Sequence, residues 1–209
     1  NGFLDVRESI AMKFERDNGL RYSPEQIVVS TGAKHSIMNA VMALCGPGDE
    51  VVIPAPYWVS YSEQVKLAGA KPVLVPSTLE EDGKAPVERI AAAITPRTRL
   101  LMFSSPCNPS GSVLRRDELE ALAAVVARHP DLLVISDEIY EHIVFEGAHA
   151  SFASLPGMLE RTITVNGLSK AFALTGWRIG YIGAPLWIAQ ACTKIQGQFT
   201  SGANSIAQR

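Results

Sequence analysis

The feature that most constrains this chain is a regular alternation of short apolar runs with longer helix-period segments. Ile27-Val28-Val29, Glu50–Pro54, Lys71–Val75, Thr98–Ser104, Leu132–Ser136, Arg161–Val165 and Arg178–Ile182 read as strands. Phe3–Asn18, Ala33–Leu44, Tyr57–Ala68, Val87–Ile94, Leu114–His129 and Leu186–Gln196 read as helices. Ile10 and Phe14, four apart, give the first helix an apolar face, and Gly19 is its stop. A helix-length crossover returns the chain to the same end of a sheet, so successive strands pair in parallel. Runs such as Leu100-Leu101-Met102-Phe103 are apolar without alternation, which suits strands covered on both faces. The expected fold is α/β, with a mostly parallel central sheet flanked by helices.

No linker, low-complexity tract or internal repeat divides the 209 residues, so 1–209 read as one domain. The chain begins inside an amphipathic helix without an initiator methionine and stops just after a Ser/Gly/Asn-rich stretch, which reads as a molecule incomplete at both ends. A net charge of -2 supplies no basic field for nucleic acid or an anionic membrane. No apolar run approaches the roughly 20 residues of a membrane span, and Asn1–Arg16 lacks a signal-peptide pattern. Cys45, Cys107 and Cys192 are odd in number and far apart, which argues for reduced thiols and a cytoplasmic location. His35, His129, His142 and His149 show no metal-ligand spacing, and no metal is expected.

Ligands of open α/β sheets bind outside the carboxyl ends of the strands. Thr31-Gly32-Ala33-Lys34, Ser105–Gly111, Asp137–Tyr140 and Asn166–Lys170 all fall there. On residue types alone, Lys170 reads equally as an exposed loop lysine or as an amine desolvated enough to condense with an aldehyde. Alone, Asp137 is a helix cap, Asn108 a turn residue, Tyr140 a core-edge tyrosine and Trp58 a core tryptophan.

Taken together, these stretches resemble the class I and II aminotransferases, the aspartate-aminotransferase group of fold-type I pyridoxal-phosphate enzymes. The run SKAFALTGWRIGY from Ser169 to Tyr181 is similar to the family's cofactor-lysine signature. Asn108-Pro109-Ser110-Gly111, Asp137-Glu138-Ile139-Tyr140 and Pro56-Tyr57-Trp58 match further family motifs in the family's order. The resemblance covers nearly the whole chain and implies the large, cofactor-binding domain of such an enzyme, with the small domain largely outside it.

The resemblance also implies roles. Lys170 holds pyridoxal 5'-phosphate as a Schiff base and then shuttles the substrate proton. Asp137 faces the pyridine nitrogen and keeps it protonated, which makes the ring an electron sink. Tyr140 and Asn108 hydrogen-bond the phenolic oxygen, and Trp58 stacks on the ring. Gly32, Ala33 and Lys34 open a helix whose N–H groups point at the phosphate, and Arg178 offers it a planar charged fork. Gly167 departs from the pattern, since the family often has a serine there; a phosphate hydroxyl contact is lost or passes to backbone. Pro109 is a candidate cis proline.

Lys34, Trp58 and Asn108 are the expected substrate contacts. Lys34 reads either as an exposed lysine at a helix start or, by resemblance, as the contact for a distal carboxylate, which points to aspartate and 2-oxoglutarate. The family's α-carboxylate arginine and the phosphate tyrosine of a neighbouring subunit are expected outside this stretch, and a homodimer with them. Two alternatives remain. One is a fold-type I relative with lyase chemistry or another amino acid; the other is an aminotransferase-like sensor domain of a transcription regulator.

Overall fold

A computed structural model describes all 209 residues and carries the expected sheet with one strand reversed. Its strands are β1 (Ile27–Thr31), β2 (Glu50–Pro54), β3 (Lys71–Val75), β4 (Thr98–Ser104), β5 (Leu133–Asp137), β6 (Thr162–Gly167) and β7 (Ile179–Gly183). They lie in the order β1-β7-β6-β5-β4-β2-β3. The pairings β2–β3, β2–β4, β4–β5 and β5–β6 are parallel, while β7 runs antiparallel to both neighbours. The reversal follows from the connection. Between β6 and β7 there is only the short 3₁₀ turn Thr175–Trp177, and without a crossover helix the chain doubles back. β1 and β6 therefore end, and β7 begins, at one edge of the sheet.

The helices are α1 (Leu4–Asn18), α2 (Ala33–Leu44), α3 (Ser60–Leu67), α4 (Val87–Ala93), α5 (Arg116–Ala127) and α6 (Leu186–Phe199). α1 ends where the sequence places its stop: Gly19 has φ 68°, and the Leu20 N–H bonds to Phe14 O at 3.0 Å. α5 is shorter than the expected Leu114–His129 because the Leu114 N–H is taken by Ser105 Oγ (2.9 Å) and the Arg115 N–H by Glu118 Oε2 (2.7 Å). β5 also differs by a residue, and the shift puts Asp137 inside the strand.

Apolar runs divide between the two faces of the sheet. Leu100 and Met102 join Ile37 and Val41 of α2, Tyr61 and Val65 of α3, and Ile188 and Cys192 of α6. Leu101 and Phe103 face Ile90 of α4 and Leu119, Leu122 and Val126 of α5, with Phe152 and Met158 below. α1 packs Ile10 and Phe14 on the outer part of the sheet, against Ile27, Val29, Ile179 and Tyr181. Full burial of each such side chain contributes about 1.5–3 kcal/mol.

At Gly180 the sheet touches the start of α2 so closely that a Cβ would lie 2.0 Å from Ala33 N, a backbone atom that cannot rotate away. Gly180→Ala is therefore expected to destabilise the protein by about 3 kcal/mol or more. Gly197, in α6 with nothing within 4 Å, should respond in the opposite direction. Gly197→Ala gains about 0.5–1 kcal/mol from helix propensity. Urea unfolding of both variants checks the pair; equal effects would contradict the packing described for Gly180.

Candidate active site

Strand ends bring the sequence-named residues together. A cavity of about 210 Å³ is lined by Ala33 and Lys34 after β1, Trp58 after β2, Asn108 after β4, and Asp137 and Tyr140 at the end of β5. Lys170 after β6 and Arg178 before β7 complete that set. Gly32 is not on the wall but directly behind it: a Cβ there would sit 2.1 Å from Arg178 Nη2. With φ 82°, a conformation that favours glycine, it lets the guanidinium approach the first turn of α2. The first N–H groups of a helix have no intrahelical partner, so cation and amides face one region. Arg178, which the expected strand took in, lies just before β7, at φ 55°, with Nη1 donating to Thr175 O at 2.8 Å.

Asp137 is the most buried charged group of the cavity wall, at 3% exposure. Its Oδ2 accepts from the Tyr61 hydroxyl at 2.6 Å and its Oδ1 from the Ile139 N–H at 3.2 Å. Burial pushes its carboxyl up to about 6, against the pull of these two donors, and the neighbouring Glu138 charge adds to the rise. Glu138 is turned away into a network of its own. Its Oε1 accepts from Ser136 Oγ (2.9 Å), Ser151 Oγ (2.9 Å) and the Phe152 N–H (3.2 Å), and His149 Nε2 lies 2.9 Å from Oε2. Glu141 pairs with Lys13 and accepts from Asn18 Nδ2 (2.6 Å) and Asn166 Nδ2 (2.8 Å), which ties this loop to α1 and β6.

Of the two readings of Lys170, the structure shows the exposed one. The desolvated setting anticipated as one reading of Lys170 is not what the fold provides: Lys170 is exposed, because it follows the buried Ser169 into the turn between β6 and β7. Its Nζ stands 5.7 Å from the centroid of the half-buried Tyr140 ring. Ser169, Tyr61, Ser104, Ile139 and Thr175, none of them singled out in the sequence, also line the cavity. Tyr61 had a signal, since it lies three residues after Trp58 in a helix-period segment and so shares its face.

Trp58 is half-buried and stands edge-on to Tyr61, with ring centroids 5.7 Å apart. The exposed Lys34 places Nζ 4.8 Å over the Trp58 ring. The Asn108–Pro109 peptide is cis. The glycine at 167 has a packing cause, as a Cβ there would lie 2.8 Å from Ile179 O.

A family model described as aminotransferase class I and II matches residues 1–209. A bifunctional aspartate aminotransferase and glutamate/aspartate-prephenate aminotransferase of Petunia hybrida is 57% identical over 100% of this chain, which covers 44% of that protein. An aspartate/prephenate aminotransferase of Cereibacter sphaeroides is 48% identical over 100% of this chain and 52% of its own length. The crystal structure of the aspartate aminotransferase from Rhizobium meliloti has a TM-score of 0.97 at 45% identity, covering 100% of this chain and 52% of that one. The Thermus thermophilus aspartate aminotransferase with maleate has a TM-score of 0.96 at 45% identity, covering 99% and 53%. This chain spans about half the length of the curated relatives it matches.

The buried Asp137 has a measurable consequence. Its carboxyl titrates near 6 folded against an ordinary 3.8, so the folded state holds the extra proton between those values. Stability contributed by this group thus falls as pH rises from about 4 to 6 and stays reduced, by about 3 kcal/mol, at neutral pH. Asp137→Asn removes that penalty. In cofactor-free protein, its stability relative to wild type should increase from pH 4 to pH 8 by up to about 3 kcal/mol in urea unfolding; an unchanged difference would contradict the burial argument.

Proposed function

The chain belongs to the class I and II aminotransferases, and from that membership we propose that the whole protein is a pyridoxal-phosphate-dependent aminotransferase using L-aspartate as amino donor. What carries the reading is one cavity in which an amine, a buried carboxylate and a guanidinium converge from three strand ends, Lys170, Asp137 and Arg178. The residues fit the cofactor. Asp137 keeps a charge-bearing carboxyl at the wall of a cavity rather than in solid core. Gly32 leaves Arg178 room at a helix start, where a phosphate finds both amides and a planar cation.

When bound, the cofactor supplies an aldehyde that exchanges amines and a ring that takes up the electrons left at the substrate Cα. Lys170 Nζ is the amine that holds it and, once released, the base that carries the Cα proton. Asp137 holds a proton on the ring nitrogen by presenting a carboxylate to it. The Tyr140 hydroxyl and the Asn108 amide bind the ring oxygen, Arg178 with the first amides of α2 binds the phosphate, and Trp58 covers the ring face and excludes water.

The oxo acid is 2-oxoglutarate, and the names of the Petunia and Cereibacter relatives favour prephenate as a second acceptor. These acids and aspartate all carry a second carboxylate, which Lys34 binds beside Trp58; the Thermus structure with maleate, itself a dicarboxylate, agrees with such a pocket. We further propose a cytoplasmic homodimer. No helix is long and apolar enough to cross a membrane, and all three cysteines are free.

Steady-state assay of the full-length protein checks the reading. Aspartate and 2-oxoglutarate should give oxaloacetate and glutamate, and Lys170→Ala should lower kcat by at least about 10²–10⁴-fold. Lys34→Ala should cost about tenfold in kcat/KM for aspartate, roughly 1.4 kcal/mol, and leave an aromatic donor unchanged. Equal losses for both donors would remove Lys34 from substrate recognition, and no transfer from any amino acid would overturn the reaction class.

A further inference from the structure

We propose that Tyr61 is a positioning residue of this site: its hydroxyl, donating to Asp137 Oδ2 at 2.6 Å, keeps that carboxylate charged and oriented for a ring nitrogen bound in the cavity. The inference rests on the pyridoxal-phosphate reading of the cavity.

Tyr61 is 1% exposed and Asp137 3%, so bulk water does not supply the donors that a carboxylate needs. Asp137 has two in the protein, and the Ile139 N–H at 3.2 Å is the longer. Tyr61 is thus the one side chain that can be removed from beneath the carboxylate. Its ring is set edge-on against Trp58, at 84° between planes, so the donor to Asp137 packs directly against a side chain of the cavity wall. Burial and the Asp137 charge push the Tyr61 hydroxyl well up, which leaves it a donor and never a competing anion.

Glu138, next in the chain, raises Asp137 but is held in its own network with His149 and Ser151. Cys107 faces Tyr61. Lys34, Lys170, Tyr140 and Arg178 line the same cavity. Burial already carries Asp137 up to about 6, and the Tyr61 hydrogen bond is the largest influence opposing it. Without the hydroxyl, Asp137 therefore titrates through neutrality, and a protonated carboxyl cannot hold a ring nitrogen in its charged form. A hydrogen bond to a charged group corresponds to about one to two pH units in the midpoint.

The test uses full-length protein freed of cofactor, with the Asp137 carboxyl followed by infrared difference spectroscopy and assigned by its loss in Asp137→Asn. In wild type the midpoint should lie near pH 6. Tyr61→Phe should raise it by about one to two pH units. Replacement of Tyr61 by 3-fluorotyrosine, a stronger donor of almost the same size, should lower it, and decides the matter if the phenylalanine variant does not fold. A midpoint unmoved by the substitutions overturns the inference. Adding pyridoxal phosphate to wild type separates it from the reading it rests on. Cofactor binding together with an Asp137 indifferent to Tyr61 removes the role of Tyr61 alone. A wild type that binds no pyridoxal phosphate overturns the site reading and this inference with it.

Discussion

The structure is organised around a carboxylate buried at the end of its central strand. β5 has three strands on either side, and Asp137 closes it at 3% exposure, where an unpaired charge is costly. Everything nearest to it reduces or redirects that cost. Tyr61 and the Ile139 amide donate to it, while Glu138 is drawn off towards Ser151, Phe152 and His149. A fold selected only for stability would place an apolar side chain there. Retaining a carboxylate against burial makes sense where a cationic partner binds, and a cavity of about 210 Å³ opens next to it.

A second constraint is close backbone approach. Gly32, Gly167 and Gly180 are the points where β1, β6, β7 and the start of α2 meet, and a methyl group at any of them would collide. The reversal of β7 matters for the same reason. Because that strand starts where β6 ends, Arg178 arrives at the N-terminus of α2 and not at the opposite end of the sheet. The segment that makes the reversal also carries Lys170, so amine and guanidinium are delivered by one connection.

Much of this was legible in the sequence because strand ends are. An apolar run followed by Gly32, Asn108, Asp137 or Lys170 marks both the element and the place where a ligand can sit. What could not be read were partnerships across long separations. The Tyr61–Asp137 bond joins residues 76 apart, and the Glu141–Lys13 contact residues 128 apart; neither has a local pattern. Orientation was hidden too. The strand pattern took in Arg178, whose positive φ sets it apart from β7. The apolar letters around Lys170 belong to exposed side chains such as Phe172 and Trp177, so they did not mark a desolvated lysine.

The central claim is that Lys170 is the amine that holds the cofactor. Its most direct test is borohydride reduction of the full-length protein with pyridoxal phosphate, followed by proteolysis and mass mapping. The account predicts a single pyridoxyl adduct on Lys170, lost when aspartate is added before the reductant. An adduct on another lysine, or none, would contradict it.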